Sequence, residues 1–139
     1  VLVAYDGSAA GDAAVRTGAR LARDAGAQLT VAAIVELATP CRSCGGSRGC
    51  GITTSAWNGI MREHAWEQLL QARTLIDCPA HLEVVCGLPR RALTDGARDL
   101  DCDAIVLPAR TGFLRRLFSR GRPPRAVSRR AHCAVLQLR

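Results

Sequence analysis

The sequence predicts an α/β fold, an open, doubly wound, five-stranded parallel sheet with helices on both faces. Three observations carry this. Short apolar runs alternate with stretches of helical periodicity in the order βαβαβαβαβ. The runs Val1–Tyr5 and Ala104–Leu107 are almost continuously apolar, as strands buried on both faces are. Each of these two runs ends at a sharp break, Asp6-Gly7-Ser8 and Pro108.

The elements follow in order. After the first strand, Ser8 caps a helix over 10–25, with Ala14, Gly18, Leu21 and Ala25 as its inward line and Gly26 as its stop. Gln28–Val35 is the second strand. A Gly-, Ser- and Arg-rich loop fills 37–54, long enough to expect a function for it. Ser55–Ile76 is a helix with Trp57, Met61, His64, Ala65, Gln68, Ala72 and Leu75 near one face, and Trp66 and Leu70 opposite. Leu82–Cys86 is the third strand and Arg90–Leu100 the next helix. Ala104–Leu107 is the fourth strand, Arg125–Ala131 the last helix and Cys133–Leu138 the fifth strand.

A chain of 139 residues suffices for one domain, 1–139, with a sizeable core, and neither a repeat nor a second domain is visible. Hydrophobic residues make up 48% and aromatic residues 4%, so that core rests on Ala, Val, Leu and Ile. No apolar run approaches the ~20 residues of a membrane helix, and VLVAYDGS lacks the pattern of a signal peptide; the expectation is a cytoplasmic protein without a membrane partner. Charge is uneven. Residues 1–103 hold ten Arg and twelve acids (10 − 12 = −2), whereas 104–139 hold nine Arg and no acid (+9). That asymmetry points to a small anionic ligand for the C-terminal part, or to solvated helix faces. With neither an aromatic RNA-binding signature nor a helix-turn-helix pattern, nucleic acid is not an expected partner.

The stretch from Ala104 to Arg122 runs from strand to arginine-rich turn, and a helix starts at Pro123-Pro124, an order in which many α/β proteins hold phosphate. With VLVAYDGS at the start, GARLARDAGAQLTVAAIVE at 18–36, Gly-Leu-Pro at 87–89, DAIVLPARTG at 103–112 and AVSRRAHCAVLQL at 126–138, the chain resembles a universal stress protein domain over nearly its full length. The resemblance implies a Rossmann-like sheet of order 3-2-1-4-5, with a ligand crevice between strands 1 and 4 at the carboxyl ends. It also implies that Asp6 and Ile34 hold a nucleoside, and that the last strand pairs with its copy in a homodimer.

Nucleotide-binding members of that family hold phosphates with Gly-x2-Gly-x9-Gly-Ser/Thr. Here those positions are Pro108, Thr111, Gly121 and Arg122, and only the third conforms. Pro108 has no N–H, and Thr111 carries a side chain where backbone must approach closely. Shifting the second glycine to Gly112 shortens the spacer by one. Arg122 replaces the hydroxyl, and with Arg110, Arg115 and Arg120 it can attract another anion. The motif is degenerate, so ATP or AMP is the less favoured ligand, although Asp6 and the 108–122 loop keep an adenine-nucleotide reading open.

Of seven cysteines, Cys78, Cys86, Cys102 and Cys133 occupy strand or turn positions expected to be buried. Cys41, Cys44 and Cys50 differ. Their C-x2-C-x5-C spacing in a glycine-rich loop lets thiolates converge on zinc or another metal with His64 as fourth ligand, or form a redox pair or disulfide, or do neither. The loop, as a strand-to-helix connection, is expected over the same crevice. His81 and His132 read as structural. Neither a Ser/His/Asp order nor paired carboxylates suggests hydrolytic catalysis. The sequence thus reads as a stress-response binding or regulatory module, with a metal- or thiol-dependent sensor on the same fold as its rival.

Overall fold

The computed structural model describes residues 1–38, 54–109 and 127–138, the side chain of Arg90 excepted. In chain order the elements are β1 (Leu2–Tyr5), α1 (Ala9–Asp24), β2 (Leu29–Val35), α2 (Thr54–Thr74), β3 (Ala80–Cys86), α3 (Pro89–Asp99), β4 (Ala104–Leu107) and β5 (Ala134–Gln137). The strands form one parallel sheet of order β3-β2-β1-β4-β5. Of the expected last helix the described part is short: Val127 and Ser128 are helical, and Val127 O accepts from Arg130 N and Ala131 N at 2.9 and 2.8 Å.

Each face of the sheet has its own core. Val3, Tyr5, Val31 and Val106 face α1 and α2, where Val15, Leu69 and Ile76 meet them. Leu2, Ala4, Ile34 and Ile105 face the other way, against Leu93 and Ala97 of α3 and Val127. β1 and β2 are buried along their whole length, which is why they read as apolar runs broken only by the buried Thr30.

Helix α1 starts at Ser8, whose Oγ accepts from Gly11 N at 3.0 Å. Such a cap contributes about 1 kcal/mol. Its inward line is Gly11, Ala14, Val15, Gly18, Ala19 and Ala22, so Ala14 and Gly18 fall as expected while Leu21 and Ala25 are exposed. Gly18 sets the depth of this packing. A Cβ there would lie 2.2 Å from Val3 Cγ2, inside the core. A larger residue forces helix and sheet apart, at about 1–3 kcal/mol.

α2 keeps most of its expected inward face. It buries Ala65, Leu69 and Ala72, with Met61, Gln68 and Leu75 partly buried, whereas Trp57 and His64 are exposed. Trp66 and Leu70 do lie outward, at 47% and 60% exposure. The exposed Arg23–Asp77 ion pair joins the end of α1 to the turn after α2 and contributes at most about 1 kcal/mol. Among the described residues no helix is long and apolar enough to cross a membrane.

A candidate ligand crevice at the carboxyl edge of the sheet

Three strand ends meet at the carboxyl edge. The register pairs Tyr5 with Ala33, so one further step sets Asp6 beside Ile34. On the other flank Val3 pairs with Val106, and two and three further steps set Pro108 beside Tyr5 and Ala109 beside Asp6. Asp6, Ile34 and Pro108 thereby lie at neighbouring strand ends where the sheet reverses its winding direction. In open α/β sheets that reversal opens a crevice between adjacent connections. Ile34 and Pro108 are buried, and Pro108 has no N–H to offer a ligand there.

Asp6 is held by the turn it begins. Its Oδ1 accepts from Ser8 N at 3.1 Å and from Ser8 Oγ at 2.6 Å, the same hydroxyl that caps α1. A Cβ on Gly11 would come within 2.6 Å of Oδ1, so only glycine in the first turn of α1 leaves the carboxylate this place. The second oxygen, Oδ2, is buried and has no hydrogen-bond partner among the described residues. A buried acceptor left unpaired costs about 1–3 kcal/mol, and a donor from a ligand relieves that cost.

Two neighbours were not evident in the sequence. Gln68 of α2 reaches over the turn, so that a Cβ on Gly7 would lie 2.7 Å from its Nε2. The same amide lies 3.2 Å from His64 Nε2, which draws His64 toward the turn at the far end of an i, i+4 pair. The His64–Gln68 spacing was the available signal. Beneath Asp6, the Tyr5 hydroxyl donates to Asp12 Oδ1 at 2.9 Å. Burial, then the Asp12 hydrogen bond and the charges of Asp12 and Asp6, push the Tyr5 hydroxyl up to about 12. Tyr5 therefore stays a neutral donor.

The other predicted residues divide between two outcomes. Arg110, Thr111, Gly112, Gly121 and Arg122 lie outside the described residues, as do Cys41, Cys44 and Cys50. Among the described residues no group of three or more His, Cys, Asp or Glu is placed to hold a metal. His64 has only Glu67 Oε2 near it as an acidic side chain, 3.8 Å from Nδ1 on an exposed surface. Cys102 is buried and Cys78 and Cys133 partly so, but Cys86 is exposed, because it ends an edge strand. His81 and His132 are exposed too, so neither serves as a core histidine. Burial raises the thiol pKa of Cys102 and of Cys133, which leaves both poor thiolates.

A concavity of about 580 Å³ lies at the opposite, amino-terminal edge, between Arg23, Gly26, Gln28, Cys78 and His81.

Solved structures of the same fold cover nearly the whole chain. Universal stress protein UspA from Lactobacillus plantarum is 23% identical, with a TM-score of 0.73, over 99% of this chain and 95% of that one. A universal stress protein family member from Burkholderia pseudomallei is 24% identical, with a TM-score of 0.70, over 99% and 92%. The Archaeoglobus fulgidus universal stress protein, solved in complex with dAMP, is 21% identical, with a TM-score of 0.59, over 99% and 95%. No curated protein matches the sequence. The profile of the universal stress protein family matches residues 1–139, and with the observed strand order β3-β2-β1-β4-β5 this establishes that the chain belongs to that family.

Proposed function

We propose that this domain is a stress-response binding module whose carboxyl-edge crevice holds a small ligand through Asp6, without the triphosphate grip of ATP-binding relatives. The observation that carries this reading is the buried, unpartnered Oδ2 of Asp6, aligned with Ile34 on one side and flanked by β4 on the other. A carboxylate so placed accepts from a hydroxyl or amine, as a ribose or similar polyol offers. Pro108 supports the second half of the proposal. It is buried at the first phosphate position with no N–H to donate, and Thr111 and Arg122 replace the residues that would complete the grip. The Archaeoglobus fulgidus relative holds dAMP, a monophosphate, which is compatible with a crevice that recognises the nucleoside part. In this reading copies of the domain associate through β5, and the arginines of 104–139 attract the anionic part of the ligand.

Calorimetry with adenosine, AMP and ATP tests the proposal. Adenosine and AMP are expected to bind, ATP to bind no more tightly than AMP, and Asp6→Asn to weaken all three by about tenfold or more. Micromolar ATP binding that exceeds AMP binding and is lost on Asp6→Ala would sink the non-ATP reading. Binding of all three unaffected by Asp6→Asn would remove Asp6 from the site.

A further inference from the structure

A second concavity of about 290 Å³ is lined by Arg91, Thr94, Asp95, Arg98 and Arg130. None of these residues belongs to the Asp6 crevice. Arg91, Asp95 and Arg98 stand at i, i+4 and i+7 on α3, so one helix face presents them in a row. Arg130 comes from the turn after Val127, 32 positions beyond Arg98 in the chain (130 − 98), and closes the groove from the side. Thr94 is 4% exposed, and its Oγ1 donates to Arg91 O at 3.2 Å and lies 3.5 Å from Asp95 Oδ1. Three guanidiniums and one carboxylate leave the groove a formal charge of +2 (3 − 1).

Surface arginines commonly settle on carboxylates, and these do not. All twelve acidic side chains of the chain belong to described residues, yet none is within ion-pairing distance of Arg91, Arg98 or Arg130. Asp95 shares the groove without pairing with any of them. Three like charges around one concavity repel one another until an anion enters. Guanidinium offers planar, paired donors that match phosphate oxygens, so a dianion at this place meets several charge-assisted hydrogen bonds at once.

We propose that the groove between α3 and the Val127–Arg130 turn is a binding site for the phosphate group of a small phosphomonoester. Its volume is near the lower end of small-ligand sites, about 300–1,000 Å³, and suits a compact ester. The carboxylate of Asp95 lowers the affinity for a bare anion and supplies an acceptor for a hydroxyl of the esterified group.

Titration of the protein with inorganic phosphate and with glycerol 1-phosphate at low ionic strength, read by calorimetry, tests the site. Arg98→Ala and Arg130→Ala are each expected to weaken both ligands by about tenfold. Asp95→Asn is expected to strengthen inorganic phosphate. Arg20→Ala, on the exposed side of α1, is expected to change neither. Circular dichroism checks that each variant is folded, with Arg98→Gln as the milder change. An equal loss on Arg20→Ala, or unchanged binding in the Arg98→Gln/Arg130→Ala double variant, overturns the proposal. So does a DNA oligonucleotide that binds more tightly than the ester and is lost with the same arginines, since the groove would then be part of a polyanion-binding face. Loss on Asp6→Ala alone would instead place the phosphate in the carboxyl-edge crevice.

Discussion

Tyr5 shows how a single side chain records its surroundings. Its hydroxyl titrates near 10.0 when unperturbed and is pushed up to about 12 here by burial and by Asp12. The folded chain thus holds this proton more tightly than the unfolded chain. The resulting stabilisation is complete below pH about 10 and is lost as pH rises from about 10 to about 12. Tyr5→Phe is expected to flatten the fall in stability across that window, measured by urea unfolding at successive pH values. An unchanged slope would mean that the Tyr5–Asp12 bond does not control it. Asp6 and Pro108 were legible before any coordinates, because a strand end is punctuated by residues with distinctive backbone demands. Gln68 was not, since its role depends on the angle at which α2 crosses the turn at Gly7. Arg91, Arg98 and Arg130 were legible only as charges; tertiary packing makes them neighbours.

Elements differ in how well the sequence marks them. The strands were placed well, Ala104–Leu107 to the residue, because apolar runs between turn residues have clear ends. The helices were placed along the chain, and in rotation α2 was read better than α1. In α1, alanine and glycine occupy so many positions that several inward lines look alike, and close packing at Gly18 selects one. In α2, Trp57 is expected inward and Trp66 outward; both are about half exposed, so of the two only Trp57 departs from expectation. The two sheet edges are also unlike. β3 carries Glu83, whose Oε2 is buried without a partner among the described residues, and an inward-pointing charge discourages a further strand. β5 has no charged residue between Cys133 and Leu138, and Leu136 is 43% exposed. Pairing between copies is therefore expected at β5. Sedimentation should show a dimer that Leu136→Lys weakens. A monomer across a wide concentration range would exclude a stable association.

At the scale of the whole molecule, the parallel order β3-β2-β1-β4-β5 places every strand-to-helix connection on one edge. Alternating strands and helices made the layers and the parallel sheet legible, while the order of the strands came from the family resemblance. Sequence and structure agree on the fold because both sheet faces are covered, which leaves the central strands few polar positions to disguise them.

Asn58 clamps the stem of one of these connections, between β2 and α2. Its Oδ1 accepts from Ala38 N at 2.9 Å and its Nδ2 donates to Ala38 O at 3.3 Å, so the segment just after β2 is fastened directly to the first turns of α2. Residues 39–53 lie between these two feet in the sequence and outside the described residues. Closing a longer segment on such a joint costs only about 0.6 kcal/mol per doubling of length. Replacing 39–53 by a short glycine–serine linker is expected to leave the melting temperature within a few degrees, whereas Asn58→Ala should lower it. A large drop on replacement would show that the segment holds the domain together. A small one would make this joint a port at which a lineage can fit a different sensing or docking segment to an unchanged sheet.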